Sequence, residues 1–165
     1  MLEFLSYLCL AAATLGAIMI VMQVFSLARH ISEAPPRPGA LPGISILKPL
    51  CGLDDDLERL LDEFAKLDYP DYEVVLGVVT LAKEAAHDLL VISDSNVSVD
   101  RGYLRDLAGY FADPSVGLVT HPVAGVGEES LGALLDNVHM TAGIAVGMVS
   151  ALRIASKPIV VGKST

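Results

Sequence analysis

Apolar positions fall into one long block near the N-terminus and then into short segments separated by turn-forming residues. Phe4 to Ala28 is the long block, with Ser6, Gln23 and Ser26 among its few polar positions. A helix over that run is about 37 Å long at about 1.5 Å per residue, enough to cross a hydrocarbon layer of about 30 Å with some tilt. The run has no polar face to offer water, as an over-long helix of a soluble protein would need. A cleaved signal peptide would open on a basic stretch and close on a small-x-small site, whereas MLEF and SLARHISEAPPRPG provide neither, so an uncleaved anchor over residues 1–30 is expected. Glu3 precedes the run while Arg29, His30 and Arg37 follow it. The positive-inside rule therefore places the bulk of the chain on the cytoplasmic face of an inner or plasma membrane.

Prolines and turn formers between Ser32 and Gly43 predict a stiff, extended linker over residues 31–43. A domain over 44–165 is expected to follow. Ile44 to Leu50 reads as a short apolar strand. The stretch after Cys51 predicts a helix with Asp54 to Asp56 at its start and Leu57, Leu60, Leu61 and Phe64 on one face, stopped by Tyr69 and Pro70. Tyr72 to Thr80 is a β-branched run of the kind a parallel sheet buries on both sides. Leu81 to Asp88 predicts two helical turns, and LLVISDSNVSV a strand turning polar at Ser93. Asp100 to Phe111 reads as a helix with Leu104, Leu107 and Phe111 on one side, and Ser115 to Val123 as a fourth strand. Leu131 to Ser156 is a further helix, with Asp136, Asn137 and His139 interrupting its first half; its apolar stretch from Ala142 to Val149 is too short to span, which favours burial or a place at the bilayer surface.

Alternation of strands and helices implies an open, mainly parallel α/β sheet. One connection conflicts with that order. Parallel neighbours are usually joined by about a dozen residues or more, including a helix, and only Leu81 to Asp88 separates two of these strands. Either a block is missing there or the two strands are not neighbours.

The soluble part holds nearly all of the formal charge of −9, set by 20 acidic against 11 basic residues. Nucleic-acid binding needs a positive stripe with aromatic or arginine platforms, so that partner is excluded. Cys9 lies in the apolar run and Cys51 in KPLCGLD, giving neither a disulfide framework nor metal-ligand spacing.

Candidate chemistry concentrates in VISDSN, where a hydrophobic strand delivers Asp94, Ser95 and Asn96 to its carboxyl end, the edge at which open α/β sheets bind ligands. A carboxylate there suits a divalent cation that also binds a substrate's phosphates, although the same residues serve equally as a turn before the next helix. Lys48 and Pro49 close the first strand at the corresponding edge, where Lys48 suits either a phosphate or the neutralising of Asp54 to Asp56. His121 and His139 lack any spacing that would make a metal site or a base. The terminal GKST is no phosphate loop, since the pattern needs glycine where Lys157 stands, and GVGEES is a glycine-rich turn.

ISILKPLCGLDDDLERLLDEFAKLDYPDYEVVLGV and HDLLVISDSNVSVDRGYLRDLAGYFADPSVGLVTHPV, behind an anchor and a proline-rich linker, resemble the ceramide glucosyltransferase family, including its bacterial hopanoid-biosynthesis-associated members. The resemblance implies a GT-A fold, here partial, and transfer of a sugar, glucose above all, from a UDP-sugar to a membrane lipid hydroxyl of ceramide or hopanoid type, with inversion. It places Lys48, Pro49 and Gly52 near the nucleotide. It also places Asp94, with Ser95 and Asn96, at the donor phosphates and a divalent cation, Mg or Mn. In the family a block bearing the first aspartate group follows the strand matching Tyr72 to Val79; here VVT runs almost directly into LAKEAAHDLL, so an internal deletion is expected. The acidic motif supplying the catalytic base would lie beyond VVGKST, so no catalytic residue is assigned and the chain alone is expected to be inactive. The alternatives are a membrane-tethered nucleotide-binding or assembly protein without catalysis, and another lipid-directed glycosyltransferase of the processive or dolichol type.

Overall fold

The computed structural model describes residues 1–50, 56–77 and 81–160. They form two compact units, one of Met1–Ala34 with Pro122–Ile159 and one built on Pro35–His121.

The unit on Pro35–His121 is a three-stranded parallel sheet with helices on one face. β1 (Ile44–Pro49) is central, flanked by β2 (Tyr72–Gly77) and β3 (Leu89–Ile92). Ile44 pairs with Tyr72 on one side and with Leu89 on the other, so all three strands run the same way and their carboxyl ends share one edge. The alternation of side chains then decides what each face holds. Ile44, Ile46, Val74 and Val91 lie on one face and pack with Phe64 and Leu67, and with Leu104, Leu107 and Ala108. Phe64 belongs to α2 (Leu57–Phe64), and the last three to α3 (Tyr103–Tyr110). Leu60 and Phe64 are the buried members of the predicted α2 stripe. The helix is two turns long, and Tyr69 behind it is fixed by its hydroxyl, which donates to the Pro42 carbonyl at 2.7 Å.

The expected proline linker is in part packed. Gly109 of α3 lies so close to the Pro36 carbonyl that a Cβ there would collide with it. Glycine is what allows backbone and helix to approach this closely.

β2 and β3 are not neighbours, and this resolves the short connection. The chain leaves β2 at Gly77, returns past β1 and enters β3 at Leu89 on the far side. The predicted helical turns after Thr80 are a single 3₁₀ turn, Leu81–Lys83. An extended chain covers about 3.3–3.6 Å per residue, so this link can run back along a short strand and cross two strand spacings of about 4.8 Å without a helix. It crosses the face opposite the helices, where Ser45 and Leu47 are buried. There Glu73 accepts from Ser45 Oγ at 2.5 Å and from the Ala86 amide at 2.6 Å, while the His87 amide donates to Ser45 Oγ at 3.1 Å. Hydrogen bonds to Ala86 and then Ser45 hold the Glu73 carboxyl below its ordinary range.

Ser115 to Val123 does not form the expected fourth strand. Val119 packs on the core and the His121 ring stands edge-on to Tyr103, centroids 5.5 Å apart. The segment adheres by side chains, and among the described residues none forms a backbone ladder on the outer edge of β3. The strand-like run at the C-terminus is irregular over Lys157 to Val160, and GKST lies outside the described residues.

The other unit is helical. α1 (Leu2–Ser32) covers the predicted anchor, and none of its most apolar stretch is buried. The predicted helix after Ser130 is an α-helix, α4 (Leu131–Val138), a π-helical stretch His139–Ala145, and a second α-helix, α5 (Val146–Ala155). α5 packs on α1, and Ser26 of α1 and Ser150 of α5 are buried. Just past the end of α1, Glu33 is gripped by both Arg153 guanidinium nitrogens, with Nη1 2.9 Å from Oε1. Arg29 Nε donates to it at 3.2 Å. These bonds, Arg153 first, pull the Glu33 carboxyl down to about 2.

Candidate functional site

Sheet order determines where a site can form. The chain moves from β1 outward to β2, then crosses back to place β3 on the other side of β1. The carboxyl ends of β1 and β3 therefore lie where the strand order reverses, the position at which open α/β sheets leave a crevice for a ligand. Lys48 and Pro49 end β1, and the chain leaving β3 passes through Ser93 to Asp94 and the turn at Ser95 and Asn96. The Ser93 amide donates to the Leu47 carbonyl at 3.0 Å, extending the ladder to the brink of that turn.

Of the six expected site residues, five thus stand at one edge of the sheet. Gly52 lies outside the described residues. Lys48 and Asp94, separated by forty-six positions, are in direct contact: Lys48 Nζ donates to the Asp94 main-chain oxygen at 2.8 Å and reaches Ser93 Oγ at 3.4 Å. The Lys48 side chain is fully buried, with its ammonium 3.8 Å from the centroid of the Phe64 ring. A quadrupole face beneath the charge and an oxygen in front of it offset part of the cost of removing a cation from water. Burial still dominates and lowers the Lys48 amine to about 8, against the opposing pull of Asp94 and then Glu63. The lysine aims at the backbone of the acidic turn. Asp94 is partly exposed, and its turn is closed by the Val97 amide donating back to the Asp94 carbonyl at 3.4 Å.

One carboxylate at a strand end fits a hard cation that takes its remaining oxygens from phosphates and water. It does not fit a cation held by protein alone, and among the described residues no group of three His, Cys, Asp or Glu side chains is assembled for a metal. His121 is half-buried with its Nδ1 buried and unpartnered, and desolvation lowers its pKa; it stands against Tyr103. His139 opens the π-helical stretch.

An open parallel sheet with a lysine and an acidic turn converging on its switch edge defines a mixed α/β protein, and the chain also carries two helices long and apolar enough to cross a membrane. The family model for glycosyl transferase family 21 matches residues 8–84 and 78–165, and the chain belongs to that family, the ceramide glucosyltransferase family. By family it is a glycosyltransferase that transfers a sugar to a lipid. No solved structure matches the chain.

Proposed function

We propose that the edge between β1 and β3 holds the diphosphate of a UDP-sugar for transfer of glucose, with inversion, to the hydroxyl of a ceramide or hopanoid-type lipid at the cytoplasmic face. The observation that carries this reading is the Lys48 to Asp94 contact, which joins two distant segments at the switch edge of the sheet. Asp94 would hold a Mg or Mn ion together with the donor phosphates, with Ser95 and Asn96 lining the turn and Pro49 and Gly52 on the β1 side. The cation supplies charge neutralisation for the leaving diphosphate. The chain's own part is to bind and orient the donor. Titrating UDP with Mn²⁺ into the full chain tests it: Asp94→Ala should weaken metal-dependent binding at least about tenfold, equivalent to about 1.4 kcal/mol. Unchanged affinity removes Asp94 from the site.

An inverting transfer also needs a general base to take the lipid hydroxyl proton, and none of the described residues is assigned that role. The interior block expected from the family bears further acidic residues. Its omission is supported by the match in two stretches that meet at residues 78–84. We therefore expect donor binding without transfer by residues 1–165 alone. Family-like turnover of UDP-glucose onto ceramide would refute this. The second reading is a membrane-tethered nucleotide-binding protein without catalysis.

A further inference from the structure

Lys48 holds the acidic turn where it begins, and a second contact holds it where it ends. From Asp94 to Asp100 the chain forms neither strand nor helix, so no ladder fixes its backbone. The bonds that locate Asp94 are made to its carbonyl, by Lys48 Nζ and by the Val97 amide, so its carboxylate goes where the turn carries it. Val97 is buried, and Ser98 Oγ donates to Glu63 Oε2 at 2.7 Å. That bond joins the far end of the turn to α2 across thirty-five positions of sequence.

Spacing reads Glu63 as half of an ordinary i,i+4 pair on a solvated helix face. The pair is present, with Arg59 Nη1 donating to Glu63 Oε1 at 2.5 Å. Exposure sets it apart: the Glu63 side chain is 29% exposed against 56% for Arg59, whereas Asp62 and Lys66, the neighbouring pair of this kind, stand at 57% and 56%. Glu63 is drawn in because its second oxygen serves Ser98. After burial and Asp94, it is also the third influence on the Lys48 amine. The last turn of α2 therefore supports both ends of the acidic turn, with Phe64 beneath the Lys48 ammonium and Glu63 accepting from Ser98.

Such anchors matter to a ligand that needs the segment ordered. The apparent affinity of a site falls with the fraction of chains in which that site is formed. A cation held by one carboxylate and a diphosphate leaves the protein a single ligand to place, and that ligand rides on this turn. Each oxygen of Glu63 already has a protein donor, so its part is to hold the turn rather than to meet the cation.

We propose that Ser98 and Glu63 are positioning residues of the donor edge: their bond keeps the turn, and with it the Asp94 carboxylate, in place for a cation-bound nucleoside diphosphate. This rests on the reading of that edge as the donor site. Neither residue touches the donor.

The test titrates UDP, with and without Mn²⁺, into the full chain in detergent. Ser98→Ala should weaken the Mn²⁺-dependent affinity about threefold to tenfold, the worth of one such bond. It should leave metal-free UDP binding unchanged, and Ser98→Thr, which keeps the hydroxyl, should restore the affinity. Glu63→Ala should weaken it as well, and adding Ser98→Ala to Glu63→Ala should cost no more, since one bond is lost in either case. In an Asp94→Ala chain, Ser98→Ala should have no further effect. Full affinity in Ser98→Ala, an equal loss without metal, no rescue by threonine, or a further loss on top of Asp94→Ala would each overturn the positioning role alone, with the donor reading still carried by a weakened Asp94→Ala. Unchanged affinity in Asp94→Ala would overturn both.

Discussion

Lys48→Met separates what the buried lysine costs from what it does. Methionine keeps an unbranched stem on the Phe64 ring and removes the charge. The gap between the ordinary lysine value of 10.5 and about 8 is worth about 3 kcal/mol, the amount by which the folded chain at neutral pH is penalised for keeping this ammonium out of water. Against that relief, the variant leaves the Asp94 carbonyl and Ser93 Oγ without their donor, a loss of about 1–3 kcal/mol. The terms nearly cancel, so the thermal midpoint of the detergent-solubilised chain, followed by far-UV circular dichroism at pH 7, should move by only a few degrees or rise. The sign with pH is equally specific. Between about 8 and 10.5 the unfolded chain holds the Lys48 proton and the folded chain does not, so wild-type stability should climb across that window and be level below it. In Lys48→Met the climb should vanish. Calorimetric titration with UDP and Mn²⁺ should nevertheless show affinity down about tenfold, because the backbone of the acidic turn has lost its tether to β1. A midpoint lowered by more than about 10 °C would refute the balance of terms, since about 1 kcal/mol shifts a small domain by about 4–8 °C. Unchanged affinity would refute the positioning role.

Acidification should release the end of α5 from α1. Glu33 is held at about 2 by Arg153 and Arg29, so its contribution is complete above the ordinary carboxyl value of 4.5 and is lost as pH falls from there toward 2. Spin labels near residues 30 and 154 should separate over that range, and a distance constant down to pH 2 would contradict it. Glu73→Ala should open the return link on the helix-free face, because the Ala86 amide and Ser45 Oγ lose their acceptor. Hydrogen exchange at Ala86 and His87 should accelerate at least about tenfold while the amides of α3 are unchanged.

The hydrophobic pattern located α1, the three strands and the buried stripes of α2 and α3, because each is a local period that one face of a core must satisfy. It failed where the outcome depended on a partner. Val116 to Val119 has strand composition, but a strand exists only if an edge pairs with it, and composition does not say whether β3 accepts one. The apolar positions of Leu131 to Leu152 predict one face, yet only Ala145, Met148 and Val149 among them are buried, and the π-helical stretch that precedes α5 has no signature in spacing. At the site, the strand ends were legible as polar residues following hydrophobic runs. The inward course of Lys48 was not, since a lysine beside three aspartates suits a phosphate ligand as well as a buried contact. A faint signal was available: in ISILKP, Lys48 continues the alternation of Ile44 and Ile46, which places it on their face of the sheet.

Ser45 follows the same logic on the opposite face. A central parallel strand is normally apolar on both sides, because crossover helices cover both. Here one side meets a return link too short to contain such a helix, whose backbone amides at Ala86 and His87 must be paired where they cross the sheet. A buried hydroxyl and a carboxylate on adjacent strands, Ser45 and Glu73, supply those partners. The link covers β1 and leaves Ile92 of β3 47% exposed on the same face. A longer crossover between Gly77 and Leu89 would change neither the strand order nor the edge where Lys48 meets Asp94, since both are set by the pairing of β1 with its two neighbours. It would replace the polar clasp and cover Ile92. The edge proposed to hold the donor and the cover of the opposite face are therefore separable parts of this sheet, and the first can form without the second.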